Sequence, residues 1–171
     1  MSRLRAEVTM EIGVAVGDVF TGLCEAETWP MWTRWASHVT VEPPGPIRGG
    51  SVVHVGRRGG LHRRTAWQVT DLRPDRLIAL EREADRRRMW LHLEPAGGTT
   101  TVTVRLELRS GGLLPFLRRR SEESAVRADL RRLKSLLESP AGVAALLTSR
   151  PTRFETDAIP ATSLEAARRR R

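Results

Sequence analysis

Two patterns of apolar residues divide the chain into a part rich in predicted strands and one long predicted helix. Within residues 121–139, apolar side chains recur at helical spacing at Val126, Leu130, Leu133 and Leu137, which predicts an amphipathic helix with one buried stripe. Upstream, apolar and polar residues alternate in segments bounded by glycine and proline, as is typical of half-buried strands. Because the stripe needs an apolar partner, we predict an α+β fold in which a curved antiparallel sheet wraps around the helix.

Seven segments show the alternation and are predicted to be strands. They are residues 7–12, 38–42, 51–56, 61–72, 76–82, 87–94 and 100–109. Short, turn-rich connections join the last six, and such connections enforce an antiparallel meander. Between the first two strands, the apolar residues of 14–23 share one face of a short helix, and a second short helix is predicted around Pro30.

The chain length suits one domain and a tail. Residues 1–139 are predicted to form the domain, since they contain the seven strands and the long helix. Residues 140–171 are predicted to add one short helix at 142–147 and then a flexible basic tail, because proline, serine, threonine and arginine dominate its end.

The net charge of +9, from 29 basic and 20 acidic residues, raises the question of nucleic-acid binding. All the basic residues except Lys134 are arginines, and they are spread along the chain without interleaved aromatic residues or a recognised motif. This distribution argues against a nucleic-acid binder.

Cysteine usage and the apolar runs predict a cytoplasmic protein. Cys24 is the single cysteine, so an internal disulfide is excluded. The first residues lack the continuous apolar segment of a signal peptide, and the longest apolar run, residues 141–147, is too short to span a bilayer.

Three of the five tryptophans lie close together at Trp29, Trp32 and Trp35. Their spacing of three would align them on one side of the second short helix. Core filling alone, and a mixed role in which at least one indole lines a pocket, explain this cluster equally well.

The sequence shows no set of residues with the spacing of metal ligands. The four histidines fall on separate predicted strands and the one cysteine does not help. We therefore predict neither a metal nor a cofactor.

The order of the elements resembles that of the START-like superfamily, also called the helix-grip or SRPBCC fold. Three local motifs carry the resemblance: Val14-Ala15-Val16 with Asp18-Val19-Phe20, then Thr28-Trp29-Pro30-Met31-Trp32, and the stretch from Trp67 to Leu77. The resemblance covers residues 5–138 and is greatest to the polyketide cyclase/dehydrase group, which includes bacterial aromatase/cyclases. It implies a deep, mostly apolar cavity between the concave face of the sheet and the long helix.

The same resemblance implies which residues line the cavity. It places Trp29 and Trp35 in the wall, turns Ala66, Gln68, Thr70 and Leu72 of the fourth strand inward, and turns Met89, Leu91 and Leu93 of the sixth strand inward. The predicted ligand-binding residues are Trp29, Trp32, Trp35, Gln68, Thr70, Leu72, Met89, Leu91, Leu93 and Leu130. Gln68 and Thr70 are expected to orient the ligand by hydrogen bonds.

The chain departs from the aromatase/cyclases at Leu72, which stands where those enzymes carry an arginine thought to polarise the polyketide carbonyl. A leucine cannot stabilise a developing enolate, so the question whether the protein is an enzyme stays open. The substitute groups are Glu81, His54, Arg64 and Arg82.

Two strand phases are open. If Ala79 points inward, then so does Glu81, and burial would raise its pKa and suit it to act as a general base. The opposite phase leaves Glu81 in solvent. If Met89 points inward, Trp90 lies on the convex face, and by the same logic so does Trp67; such a surface favours a homodimer or another partner. A phase shift of one residue would instead bring both indoles into the cavity.

These observations predict a protein that binds a hydrophobic or aromatic small molecule, including lipids, in an internal cavity. The candidate activity is polyketide cyclisation of an intermediate carried on an acyl carrier protein, whose acidic surface would suit a basic cavity rim. The alternatives are a non-catalytic interaction module that resembles the chaperone-ATPase activators of the superfamily, and an arginine-driven nucleic-acid binder.

Overall fold

The computed structural model describes residues 2–57, 64–110 and 115–148. Within these residues the elements follow the predicted order of a strand, short helices, six strands and a long helix. The strands are β1 Ser2–Ile12, β2 Ala36–Glu42, β3 Val52–Arg57, β4 Arg64–Arg73, β5 Leu77–Arg82, β6 Arg87–Ala96 and β7 Thr99–Ser110. The helices are α1 Val16–Cys24, a 3₁₀ helix Ala26–Thr28, α2 Trp29–Trp32, α3 Pro115–Leu137 and α4 Pro140–Thr148.

The strands form one antiparallel sheet in the order β1-β7-β6-β5-β4-β3-β2. Strands β2 to β7 are a meander, as predicted, and β1 returns to pair with β7 along its whole length, from Ser2 opposite Ser110 to Ile12 opposite Thr100. The first strand begins earlier than predicted because the alternation extends upstream, where Leu4 and Ala6 are buried.

The long helix α3 begins at Pro115, six residues before the predicted start. Proline is favoured in the first turn of a helix, where its missing N–H is not needed. The predicted apolar stripe is confirmed, since Leu130, Leu133 and Leu137 are buried and Val126 is half-buried. The helix packs against β1 and α2, which places its leucines over one face of the sheet.

The core lies between that concave face and the helices. Strand residues such as Val53, Leu80 and Val102 join the α3 leucines in one continuous cluster. Helix α1 packs on β6 and β7 through its buried face, which includes Val19 and Leu23. The helix-grip α+β fold is therefore confirmed.

The short helix predicted at 142–147 is α4, and it contacts the end of α3. The predicted flexible tail, from residue 149 onward, lies outside the described residues. So does the beginning of the predicted fourth strand, residues 61–63.

Candidate ligand cavity

A cavity of about 50 Å³ lies between the concave face of the sheet, α2 and α3. Its wall is almost wholly apolar. The lining residues are Leu23, Trp29, Trp32, Thr33, Trp35, Ile78, Met89, Leu91, Val104, Val126, Asp129 and Leu130. A site for one water needs about 10–15 Å³ on this kind of measure, so the void is narrow. The deep cavity implied by the family resemblance is reduced here to a small one.

Large indole rings account for the small volume. Trp29 packs edge to face against Trp32 and against Trp35, with ring centroids 6.4 Å apart in both pairs. Trp35 in turn lies 6.2 Å from Trp67, which reaches in from β4. Aromatic pairs prefer these tilted geometries over face-to-face stacking, so the four rings form one cluster, of which Trp29, Trp32 and Trp35 line the cavity.

The three tryptophans near α2 reach the cavity by two routes. Trp29 and Trp32 share the short helix, and Trp29 is fixed by a hydrogen bond from its Nε1 to the backbone oxygen of Leu23, at 3.0 Å. The helix ends at Trp32, and Thr33 is already extended, with ψ of 142°. The prediction that helical spacing aligns all three rings is therefore wrong for Trp35, which the following loop brings to the wall.

The predicted inward face of β4 is wrong at Ala66, Gln68 and Thr70. Trp67 and Val69 are buried in the core, while Gln68 and Thr70 are exposed. The reason is a bulge, because the pairing with β5 steps from Val69 directly to Asp71 and leaves Thr70 as an extra residue. A bulge shifts the alternation by one residue. Leu72, beyond the bulge, packs against the core as predicted, but none of the three polar or small residues before it can line the cavity.

On β6 the structure places Met89 and Leu91 in the cavity wall. Leu93 has the same phase but is buried in the core beyond the cavity. Trp90 lies on the opposite face, between Ala79 of β5 and Arg105 of β7. Of the two indoles whose phase was open, Trp67 therefore belongs to the concave face and Trp90 to the convex face.

Three of the substitute catalytic residues, Glu81, His54 and Arg64, do not border the cavity. Glu81 lies on the convex side, where Arg86 and Arg88 each donate to its carboxylate at 2.9 Å. The hydrogen bond from Arg88, followed by that from Arg86, holds the pKa of Glu81 below its usual range. Of the two strand phases left open for β5, the structure shows the one with Ile78 and Leu80 turned into the core, so the raised pKa and the general-base role that depended on the other phase do not apply to Glu81.

His54 also lies on the convex side, opposite Thr40 and Ala66, while its neighbours Val53 and Val55 are fully buried. Its Nε2 is 3.4 Å from the carboxylate of Glu42. Arg64 is exposed at the start of β4. Neither side chain can act on a molecule inside the cavity.

One acidic residue in the wall was missed by the sequence reasoning. Asp129 of α3 is only 7% exposed and lies between Val126 and Leu130 in the lining. Its Oδ1 accepts a hydrogen bond from the backbone N–H of Arg34 at 3.2 Å, and the Arg34 Nε is 3.6 Å away. Burial raises the pKa of Asp129, although the contacts with Arg34 act in the opposite direction.

Beyond Trp35, the concave face of the sheet carries a row of three large side chains, one tryptophan and two arginines. Trp67, Arg82 and Arg87 are cross-strand neighbours on β4, β5 and β6, and the Arg82 guanidinium lies 5.4 Å from the Trp67 ring centroid. Arg82 pairs with Asp85, and Arg87 pairs with Glu122 of α3. The Arg87–Glu122 pair thus ties the helix to the sheet, and the four charges cancel.

The described residues include no group of three or more histidine, cysteine, aspartate or glutamate side chains arranged to hold a metal ion. No helix in the described ranges is both long and apolar enough to cross a membrane.

The sequence profile described as "Polyketide cyclase / dehydrase and lipid transport" matches residues 3–138. This chain belongs to that family. No curated protein sequence shows significant similarity to this chain. The predicted resemblance to the polyketide cyclase/dehydrase group of the START-like superfamily is therefore confirmed.

Solved structures show the same fold as this member of the polyketide cyclase/dehydrase family. The di-domain aromatase/cyclase StfQ from the steffimycin biosynthetic pathway superposes with a TM-score of 0.66 at 16% identity, over 82% of this chain and 52% of StfQ. The chain thus spans about half the length of StfQ. A START superfamily protein from Mycobacterium smegmatis superposes with a TM-score of 0.65 at 12% identity, over 79% of this chain and 97% of that protein. The Aha1 dimer from Colwellia psychrerythraea superposes with a TM-score of 0.60 at 16% identity, over 79% of this chain and 96% of the Aha1 chain.

Proposed function

We propose that this protein binds a hydrophobic or aromatic small molecule in the cavity between α3 and the sheet. The observation that carries the proposal is the almost wholly apolar wall of the cavity, which includes Trp29, Trp32, Trp35, Leu91 and Leu130. Apolar enclosure with a few polar groups is the usual character of a small-molecule site. The family description names polyketide cyclases, dehydrases and lipid transport, and lipids are apolar ligands that such a wall would suit.

A ligand larger than a few water molecules must enlarge the void, which measures about 50 Å³. Trp35 and Met89 are half-buried residues of the cavity wall. They lie next to the row that Trp67, Arg82 and Arg87 form on the concave face. A methionine side chain adapts readily to irregular space, and Trp35 lies on a loop. We infer that these two side chains move outward when a ligand enters.

Cyclisation of a polyketide on an acyl carrier protein is a narrower form of this proposal. It needs a group that stabilises an enolate, and Leu72, which stands at the position of the aromatase/cyclase arginine and packs against the core, cannot supply one. On the concave face, the candidates for that role are Arg82 and Arg87, both paired with carboxylates. Binding is the activity that the side chains support best.

A second candidate is a non-catalytic interaction module. The narrowness of the void favours it, because a cavity filled by its own indoles leaves little room for a ligand. A homodimer or partner contact through the convex face stays a prediction that rests on Trp90 alone, because Trp67, the other indole assigned to that face, is buried in the core. Cytoplasmic location likewise stays a prediction. An arginine-driven nucleic-acid surface is disfavoured, since many described arginines pair with carboxylates, as Arg105 does with Glu7.

Titration calorimetry with 2-methylnaphthalene and with decanoate tests the proposal. We expect saturable binding of at least one of them by the native protein. Val126→Phe should weaken it by about tenfold or more, a loss of about 1.4 kcal/mol, because Val126 borders the void and the added ring would fill it.

Leu136→Phe is the matched control, since Leu136 is also half-buried on α3 but does not border the cavity. It should leave binding unchanged. Both variants are first checked for native circular dichroism. If the native protein binds neither compound, or if the two variants lose binding equally, the proposed cavity function is wrong.

A further inference from the structure

The cavity wall includes three residues with buried polar side chains, Trp32, Thr33 and Asp129, and the hydrogen bond from the Arg34 N–H to Asp129 joins Asp129 to the residue that follows Thr33. Trp32 and Thr33 are consecutive at the end of α2, and Asp129 lies on the facing helix α3. Their exposed fractions are 8%, 3% and 7%. Polar groups buried to this degree normally have hydrogen-bond partners.

Two of the three have none within the described part of the chain. Trp32 Nε1 and Thr33 Oγ1 are both fully buried atoms without a partner there. Their near neighbours differ, since Trp29 Nε1 donates to the Leu23 carbonyl and Thr28 Oγ1 donates to the Glu25 carbonyl. An unsatisfied buried donor weakens the folded protein, so these two donors are suited to a molecule that supplies the missing acceptor.

Among these three side chains, Asp129 is the one that can accept hydrogen bonds through a carboxylate. Its Oδ1 receives the Arg34 N–H, but the two oxygens of a carboxylate can accept about four hydrogen bonds. Acceptor capacity is therefore left over in the wall of the cavity, next to the chain segment that follows the two unused donors. Burial also disfavours the charged form of this carboxylate and so raises its pKa.

We propose that Trp32, Thr33 and Asp129 form a subsite for an uncharged hydroxyl group, alcoholic or phenolic, at the end of the apolar ligand. The hydroxyl oxygen accepts from Trp32 Nε1 and Thr33 Oγ1, and the hydroxyl hydrogen is donated to Asp129. An anionic end is disfavoured, because it would meet a carboxylate within a largely apolar wall. This inference rests on the proposed binding function and names the chemical class of ligand within it.

The test compares three probes of similar size by titration calorimetry: 2-naphthol, 2-methylnaphthalene and 2-naphthoate. The native protein should bind 2-naphthol about tenfold more tightly than 2-methylnaphthalene, the gain expected from one or two well-formed buried hydrogen bonds. It should bind 2-naphthoate more weakly than 2-naphthol.

Thr33→Val removes the hydroxyl and nearly preserves shape. It should weaken 2-naphthol binding about fivefold, the value of roughly one neutral hydrogen bond, and leave 2-methylnaphthalene unchanged. Thr28→Val is the control, because Thr28 is equally buried but its hydroxyl is already bonded to Glu25. It should leave the ratio of the two affinities unchanged.

The stability of the free protein provides a second measurement. Thr33→Val should raise the urea midpoint of unfolding, since it removes an unsatisfied hydroxyl, whereas Thr28→Val should lower it.

Equal affinities for 2-naphthol and 2-methylnaphthalene would overturn the subsite and leave the cavity function intact. Tightest binding of 2-naphthoate would also overturn it, and would point to an anion site at Arg34 instead. A lowered urea midpoint for Thr33→Val would show that the hydroxyl serves the fold. If no probe binds, the proposed function itself fails.

Discussion

Leu130 and Leu133 provide a direct way to test whether the space beneath α3 is real. Both are leucines on the buried face of the helix, 2% and 0% exposed, but only Leu130 borders the cavity. Replacing each by alanine removes the same three carbon atoms from two different surroundings. The transfer part of the cost is about 2.4 kcal/mol for both, at about 0.8 kcal/mol per buried carbon.

The remaining cost depends on the void that each change leaves. Measured Leu→Ala costs in cores run from about 2 to 5 kcal/mol and rise with residual cavity volume. Leu133 is fully buried and does not border the cavity. The loss of unfolding free energy for Leu133→Ala should therefore lie in the upper part of that range, at about 3–5 kcal/mol. Leu130 already faces empty space and has fewer contacts to lose, so Leu130→Ala should cost about 2–3 kcal/mol.

Urea unfolding followed by circular dichroism gives both free energies, provided that the dependence on denaturant is similar in the two variants. Leu130→Ala should also bind 2-methylnaphthalene more tightly than the native protein, because it enlarges the existing void. The reasoning would be refuted if Leu130→Ala cost as much as Leu133→Ala and gained no affinity for the probe.

Two further predictions concern ionisable groups in and beside the core. Because burial raises the pKa of Asp129 above its ordinary value of 3.8, the folded state binds this proton more tightly than the unfolded state, and stability should fall as the pH rises from about 4 through the folded pKa. Asp129→Asn should flatten that part of the profile of urea midpoint against pH; an unchanged slope would contradict the assignment. Burial, with smaller contributions from Glu25 and Asp75, raises the pKa of Cys24 to about 12. Its thiol should therefore react with Ellman's reagent at pH 8 at least about a hundredfold more slowly in the native protein than in urea, and equal rates would show that the thiol is accessible.

The order of the elements could be predicted because it depends on periodicity and turn residues, which are local. The stripe of Leu130, Leu133 and Leu137 shows the helical period over several turns, and the turn at Pro74 leaves few ways to connect β4 and β5. Short connections then fix antiparallel neighbours without further information. The pairing of β1 with β7 was not predicted, because the two strands are far apart in the sequence and no local pattern joins them.

The direction in which individual side chains point was harder to predict, because one inserted residue in a strand moves every side chain before it to the opposite face of the sheet. The face of β4 was right at Leu72 and wrong at Gln68, since the bulge at Thr70 lies between them. Nothing in the sequence of β4 marks that bulge, and it is evident only from the pairing with β5. Trp35 shows the related limit that a spacing of three aligns side chains only while the helix continues.

Asp129 could have been found from the sequence. It lies three residues after Val126 and directly before Leu130, so the predicted stripe already placed it on the buried face. A charged residue in such a stripe is either paired or functional. The unsatisfied state of Trp32 and Thr33 could not have been found in this way, because it depends on which backbone groups come close in three dimensions.

The most direct test of a ligand cavity is the set of five indole N–H signals in a ¹H–¹⁵N NMR titration with 2-methylnaphthalene. Trp29, Trp32 and Trp35 line the cavity, Trp67 packs on Trp35, and Trp90 lies on the opposite face of the sheet as an internal control. We expect saturable shifts of the Trp32 and Trp35 signals with the Trp90 signal unmoved. Shifts confined to Trp90, or no shift of any indole at saturating probe, would contradict the proposal that the space between α3 and the sheet holds a small molecule.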